Sequence, residues 1–195
     1  MSISLELTAP PRRHLPGDLA MWFFILAELS VFAVLILAFA VTQLLKPQLF
    51  AAGRQLLDTS TGLAMTLSLL SAGLCAALAQ ERVRQARPRQ AALLLLAALL
   101  VASVYLLLKL GEYRHLLDLG LGLEHNTFFT LYWILSGFHF LHVLLGMLIL
   151  GWLAEGCRRG RYDAERCSGF ESGVLYWHMV DLVWVLLFPL VYVLD

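Results

Sequence analysis

Apolar residues fall along this chain in five long blocks, about 19–45, 60–80, 90–110, 127–153 and 172–194. A helix needs ~20 mostly apolar residues to cross a hydrocarbon layer of ~30 Å, and each block is about that long or longer. The pattern predicts an all-α integral membrane protein: a five-helix transmembrane bundle over residues 17–195, preceded by a short N-terminal tail over 1–16. The connections, roughly 10 to 18 residues long, leave no soluble domain for a separate activity. In the second block Ser60, Ala64, Ser68, Ala72 and Ala76 recur every four residues, a small-residue stripe that lets membrane helices approach closely.

Composition agrees with the pattern. Hydrophobic residues make up 60% of the chain and charged residues 14%, against roughly 25% charged in an average soluble domain; the mean hydropathy is +0.77. The net charge of zero hides a segregation. Arg12 and Arg13 precede the first block, Arg82, Arg84, Arg87 and Arg89 separate the second from the third, and Arg158, Arg159, Arg161 and Arg166 separate the fourth from the fifth. The alternate connections hold only Lys46, Arg54, Lys109 and Arg114. Basic residues in short loops stay on the cytoplasmic side, so the N-terminus is expected in the cytoplasm and the C-terminus in the periplasm. The Arg-rich loops read as topology signals, not as a nucleic-acid surface. Trp22, Tyr176 and Trp177 are expected in the cytoplasmic aromatic belt.

A cleaved signal peptide is the rival reading of the first block, with Ala38-Phe39-Ala40 as its cleavage site. The apolar run from Leu19 to Leu37 is longer than the usual 7 to 15 residues of such a segment, which favours a permanent helix. Cys75 lies in a span, while Cys157 and Cys167 lie at a cytoplasmic loop where thiols stay reduced, so no disulfide framework is expected.

Within the blocks the polar residues occur at matching depth. Glu28 lies roughly 15 Å along its helix from Asp18, and Asp181 roughly 13 Å from Ser172. In "SGFHFLHVLLG", His139 and His142 share one helix face, and "YWHMVDLVW" repeats the device with His178 and Asp181. A charge at mid-bilayer costs at least ~2.5 kcal/mol, so such groups turn inward and pair. Two readings follow: a buried hydrogen-bond network of His139, His142, His178 and Asp181, and proton handling by Glu28, held neutral by burial unless a histidine pairs with it.

A haem or metal site built from His-x-x-His, or from His178 with Asp181, is the weaker alternative, because no further intramembrane histidine completes it. Lys109, Glu112, Arg114 and His115 in "KLGEYRH" read as an interfacial charge cluster at the outer end of the third span, or as a docking surface. Nucleophile elbows, P-loops and dinucleotide motifs are absent, so no catalytic residue is assigned.

Three stretches, "FFILAELSVF" (23–32), "SGFHFLHVLLG" (136–146) and "YWHMVDLVWVLLFPLVY" (176–192), with "KLGEY" (109–113) between the first two, resemble subunit III of the haem-copper oxidases. The resemblance covers all five spans. It corresponds to a short form without the first two helices of seven-helix members, and "RGRYDAERCSGFESGVLYWHMVDLVWVLLFPL" looks most like the homologue associated with bacterial nitric oxide reductase. Subunit III of quinol oxidases is the nearest rival. The resemblance implies an accessory subunit of the bacterial inner membrane with no haem, copper or other cofactor of its own. It also implies a catalytic membrane subunit and phospholipid as partners, and it sets Glu28 on the family's carbodiimide-reactive glutamate. A proton channel or transporter, and a haem-binding membrane cytochrome, are the rivals from other classes.

Overall fold

The computed structural model describes residues 19–162 and 167–194; the tail with Arg12 and Arg13, and Arg166, lie outside the described residues. Six α-helices follow in order: α1 (Leu19–Leu45), α2 (Pro47–Arg54), α3 (Thr59–Arg84), α4 (Pro88–Asp118), α5 (Thr127–Arg158) and α6 (Ser168–Phe188), the last continued by a π-turn over Pro189–Val193. Five of these helical stretches are long and apolar enough to cross a membrane, as the hydrophobic blocks predict. The sixth, α2, is not legible in those blocks. Pro47 has no N–H and disfavours helix in the residue before it, so α1 ends at Leu45 and the chain restarts with Pro47 in the first turn of α2.

Helices run past the apolar blocks: α3 continues through Glu81-Arg82, good helix formers in water, and α4 continues from Lys109 to Asp118, where Lys109 and Leu116 are buried against the bundle. The connection from α3 to α4 therefore shrinks to residues 85–87. Three helices stop in the same way. After α4, Gly120 N–H donates to Leu117 O and Leu121 N–H to Leu116 O; after α5, Gly160 donates to Cys157 O and Arg161 to Gly156 O. Both glycines have φ near +70°, the left-handed conformation this double closure requires. α3 closes identically with Ala86 in that position.

α3, α4, α5 and α6 form a closed ring in which each helix packs on the next and α6 returns to α3; α1 lies outside, against α5 and α6. α3 packs most extensively on α4, and Ala72, Ala76 and Ala79 of α3 and Ala91, Ala98 and Ala102 of α4 are all inaccessible. The small-residue stripe thus serves packing over its inner part, Ser68 to Ala76, whereas Ser60 and Ala64 are exposed. α6 is the most embedded span, 56% buried, and α1 the least, 17%. Three buried residues of α1, Ile25, Phe32 and Phe39, recur every seven positions and mark its single seam on the ring. Because α6 is enclosed by α1, α3 and α5, Tyr176 and Trp177 are core residues and not part of an interfacial belt.

Asp58 caps α3, accepting hydrogen bonds from the backbone N–H groups of Ser60 and Thr61 at 3.1 and 3.0 Å and from both their hydroxyls. The Thr61 and Ser60 hydroxyls hold its carboxyl down at about 2, below the ordinary 3.8. A lowered folded-state pKa gives a contribution that is complete above the unfolded value and is lost as pH falls through the folded one. Asp58→Asn is expected to keep the cap but flatten the pH dependence of the thermal midpoint between about pH 5 and pH 2, measured in detergent.

Candidate functional site

Glu28 lies on the inward edge of α1, one turn beyond Phe24, and meets His142 of α5 with Nε2 to Oε2 at 3.0 Å. Side-chain exposure is 22% for Glu28 and 12% for His142. The opposite ring nitrogen, Nδ1, is 2.8 Å from the Phe138 carbonyl. A carbonyl only accepts, so Nδ1 carries a proton and donates it. The remaining bond then contains a single proton between Nε2 and Oε2. Whether that proton rests on the acid or on the imidazole, the pair as a whole is neutral, which is what a low-dielectric membrane interior favours. The edge of Phe32 packs on the His142 ring at 5.1 Å, and Tyr176 donates from its hydroxyl to the His142 carbonyl at 3.4 Å.

The other intramembrane candidates are not joined to this pair by hydrogen bonds. His139, on the same face of α5, is fully buried among aromatic rings: it stacks on Trp184 at 5.1 Å and 28° and meets the edges of Tyr105 and Phe32. Neither of its ring nitrogens has a hydrogen-bond partner among the described residues. His178 and Asp181 approach at 3.7 Å, too far for a hydrogen bond, with His178 42% exposed and Asp181 7%. The Asp181 carboxyl is pressed against the bare backbone of Gly73 in α3, where a Cβ would collide with it. The four residues therefore divide into an acid-paired histidine, an aromatic-core histidine and an i,i+3 pair on α6. Among the described residues no three His, Cys, Asp or Glu side chains converge as metal ligands.

The outer charge cluster also divides. Arg114 and His115 are exposed, but Lys109 is inaccessible and Glu112 only 8% exposed. Lys109 Nζ donates to Glu112 Oε1 at 2.7 Å and to the hydroxyls of Tyr132 and Tyr192 at 3.0 Å each. Both hydroxyls in turn donate to the Glu112 carboxylate, Tyr192 at 2.9 and 3.0 Å. The ammonium also lies 4.8 Å above the Tyr132 ring and 5.0 Å above that of Tyr113. This is a closed, fully donated ion pair that ties α4 to α5 and to the C-terminal π-turn. Sequence reasoning missed Tyr132 and Tyr192 because nothing in the periodicity of α5 or of the chain end marks them as polar partners. The π-turn, closed by Leu194 N–H to Pro189 O at 2.8 Å, brings Tyr192 within reach of the cluster.

A ring of four helices with a fifth alongside, polar groups turned inward and apolar side chains outward, defines a polytopic helical membrane protein. Its residues 16–195 match the family model of cytochrome c oxidase subunit III, and the chain belongs to that family. It is similar to cytochrome c oxidase subunit 3 of Thermostichus vulcanus, 41% identical over 85 residues, which are 43% of this chain and 42% of that protein. Similarity to the heme-copper oxidase subunit I+III of Aeropyrum pernix extends further here, 31% identity over 182 residues, 89% of this chain but 22% of that one. With quinol oxidase subunit 3 of Bacillus spizizenii the identity is 27% over 183 residues, covering 90% of this chain and 86% of the relative. The chain thus spans less than half the length of the first two relatives and most of the third.

Proposed function

We propose that this chain is a non-catalytic accessory subunit of a respiratory complex of the haem-copper oxidase superfamily, an oxygen-reducing oxidase or a nitric oxide reductase, in a bacterial inner membrane. In this reading its N-terminus is cytoplasmic, as the Arg distribution favours, and it packs on a catalytic membrane subunit that holds the redox centres. Phospholipid fills the remaining apolar surface, of which α1 offers the largest share. The Glu28–His142 pair supports proton uptake by the complex. That pair is the observation that carries the reading: a single exchangeable proton shared between an acid and an imidazole, neutral as a pair, is a store that rests at mid-membrane depth without a lone charge in lipid. A continuous proton channel through the subunit is disfavoured by His139, whose nitrogens are shut in by Phe32, Tyr105 and Trp184.

Purification in mild detergent tests the assembly. Co-purifying chains and a haem spectrum that is absent from the isolated subunit are expected, and the spectrum with turnover on oxygen or nitric oxide distinguishes the two complexes. Glu28→Gln keeps a hydrogen bond to His142 Nε2 through its amide, so assembly is expected to be retained. The infrared band of the Glu28 carboxyl should disappear and the proton-linked turnover of the complex should fall. Unchanged pH dependence and turnover in Glu28→Gln would remove proton support from the reading, and a Soret band in the isolated chain would remove the accessory role.

A further inference from the structure

Between the first turns of α1 and α6 lies a crevice of about 460 Å³, lined by Ala20, Met21, Phe24, Ser168, Gly169 and Ser172. It lies at the end of the bundle that carries the Arg-rich connections 82–89 and 158–161. Two of its lining residues point up the bundle to the same place. Phe24 is one turn below Glu28 on α1, and Ser172 is one turn below Tyr176 on α6, so each pair shares a helix face. Phe24 and Tyr176 stack at 6.1 Å and 30° across the α1–α6 seam, roofing the crevice. Directly beyond that roof stands the Glu28–His142 pair, to which Tyr176 is tied through the His142 carbonyl.

We propose that this crevice is the aqueous entrance through which the Glu28–His142 pair exchanges its proton with the Arg-rich side of the membrane, and that the Phe24–Tyr176 stack is the barrier each proton must pass. The inference rests on the proton-handling reading of Glu28 and adds its route and sidedness. The crevice has the attributes an entrance needs. It is roomy, two seryl hydroxyls line it, and the exposed Gly169 puts backbone in place of a side chain at its rim. Only one aromatic layer separates it from the acid, a rise of roughly 6 Å along α1. The exchange balances: a crevice water takes the proton of the pair and leaves as hydronium, the pair is briefly anionic, and a second hydronium returns a proton, so that the pair is neutral again after each complete exchange.

Two measurements on the full chain in native membranes test this. In a background lacking Cys75, Cys157 and Cys167, Met21→Cys and Ser172→Cys should react with a charged, membrane-impermeant thiosulfonate at least tenfold faster than Leu37→Cys, which faces lipid deep in α1, and only when the Arg-rich side is presented. Equal rates at the three positions, or labelling from the opposite side, overturn the entrance. Deuterium exchange of the infrared band that Glu28→Gln abolishes should slow at least tenfold when Gly169→Leu or Ala20→Leu fills the crevice, and should quicken in Phe24→Ala. Labelling with exchange indifferent to all three variants overturns the route. That result leaves the proton-handling reading standing as long as Glu28→Gln still alters turnover of the complex. An indifferent Glu28→Gln complex with crevice-dependent exchange fails that reading alone.

Discussion

Glu112→Leu is expected to destabilise the folded subunit by about 3–5 kcal/mol, the range for removing one partner from a buried ion pair. Lys109 has no route to solvent, and its ammonium would keep only two tyrosine hydroxyls as acceptors. Lys109→Met should cost less than Glu112→Leu. The carboxyl left behind still accepts from the hydroxyls of both Tyr132 and Tyr192, which keep the donor role they already have. In the double variant no buried charge remains, and much of the loss should return, because a buried pair replaced by apolar side chains of similar volume is often neutral or better. Unfolding in mixed micelles measures all three. Additive losses would mean that Lys109 and Glu112 are stabilised independently of one another.

Gly53→Ala is expected to destabilise by about 1–3 kcal/mol, the usual effect of overpacking a filled site. A Cβ at position 53 would fall onto the Phe128 ring. That ring has nowhere to go: Phe50 meets it edge-on at 5.3 Å, Phe39 at 6.0 Å and Phe129 at 5.1 Å, with Phe39, Phe50 and Phe128 all inaccessible. The same substitution at Gly111, where nothing lies within 4 Å of the added Cβ, should be neutral or stabilising by up to ~1 kcal/mol through helix propensity. A thermal midpoint that falls for Gly53→Ala and not for Gly111→Ala checks both.

Glu28 was legible because one carboxylate in a long apolar run has few reasons to be there, and its depth was legible because helical rise is constant. That His142 would be the histidine to meet it, and His139 the one to stack on Trp184, was not legible. The two are three residues apart on one face, and a rotation of α5 by a fraction of a turn exchanges their neighbours. The packing of α5 against α4 and α6 in the ring, with α1 docked alongside, sets that rotation. The outer cluster shows the same limit: "KLGEYRH" announced charges near a helix end, but burial of Lys109 and Glu112 and exposure of Arg114 and His115 depend on which side of α4 faces α5.

The sequence by itself determined the number of spans, their approximate ends and the side on which arginines gather, because these follow from hydrocarbon thickness, helical rise and the distribution of charge along the chain. Proline and glycine punctuation determined where α1, α4 and α5 stop, through local backbone chemistry, whereas α3 makes the same closure with Ala86. The ring of α3 to α6 with α1 outside, and the division of the polar residues into separate groups, were decided by tertiary structure. So was the arrival of Tyr192 from the chain's end at a lysine on α4. Their physical reason is common to all three: apolar helices in lipid all satisfy the same hydrophobic requirement. Relative rotation and partner choice rest on side-chain shape and hydrogen-bond completion between residues far apart in the chain, and one-dimensional periodicity carries neither.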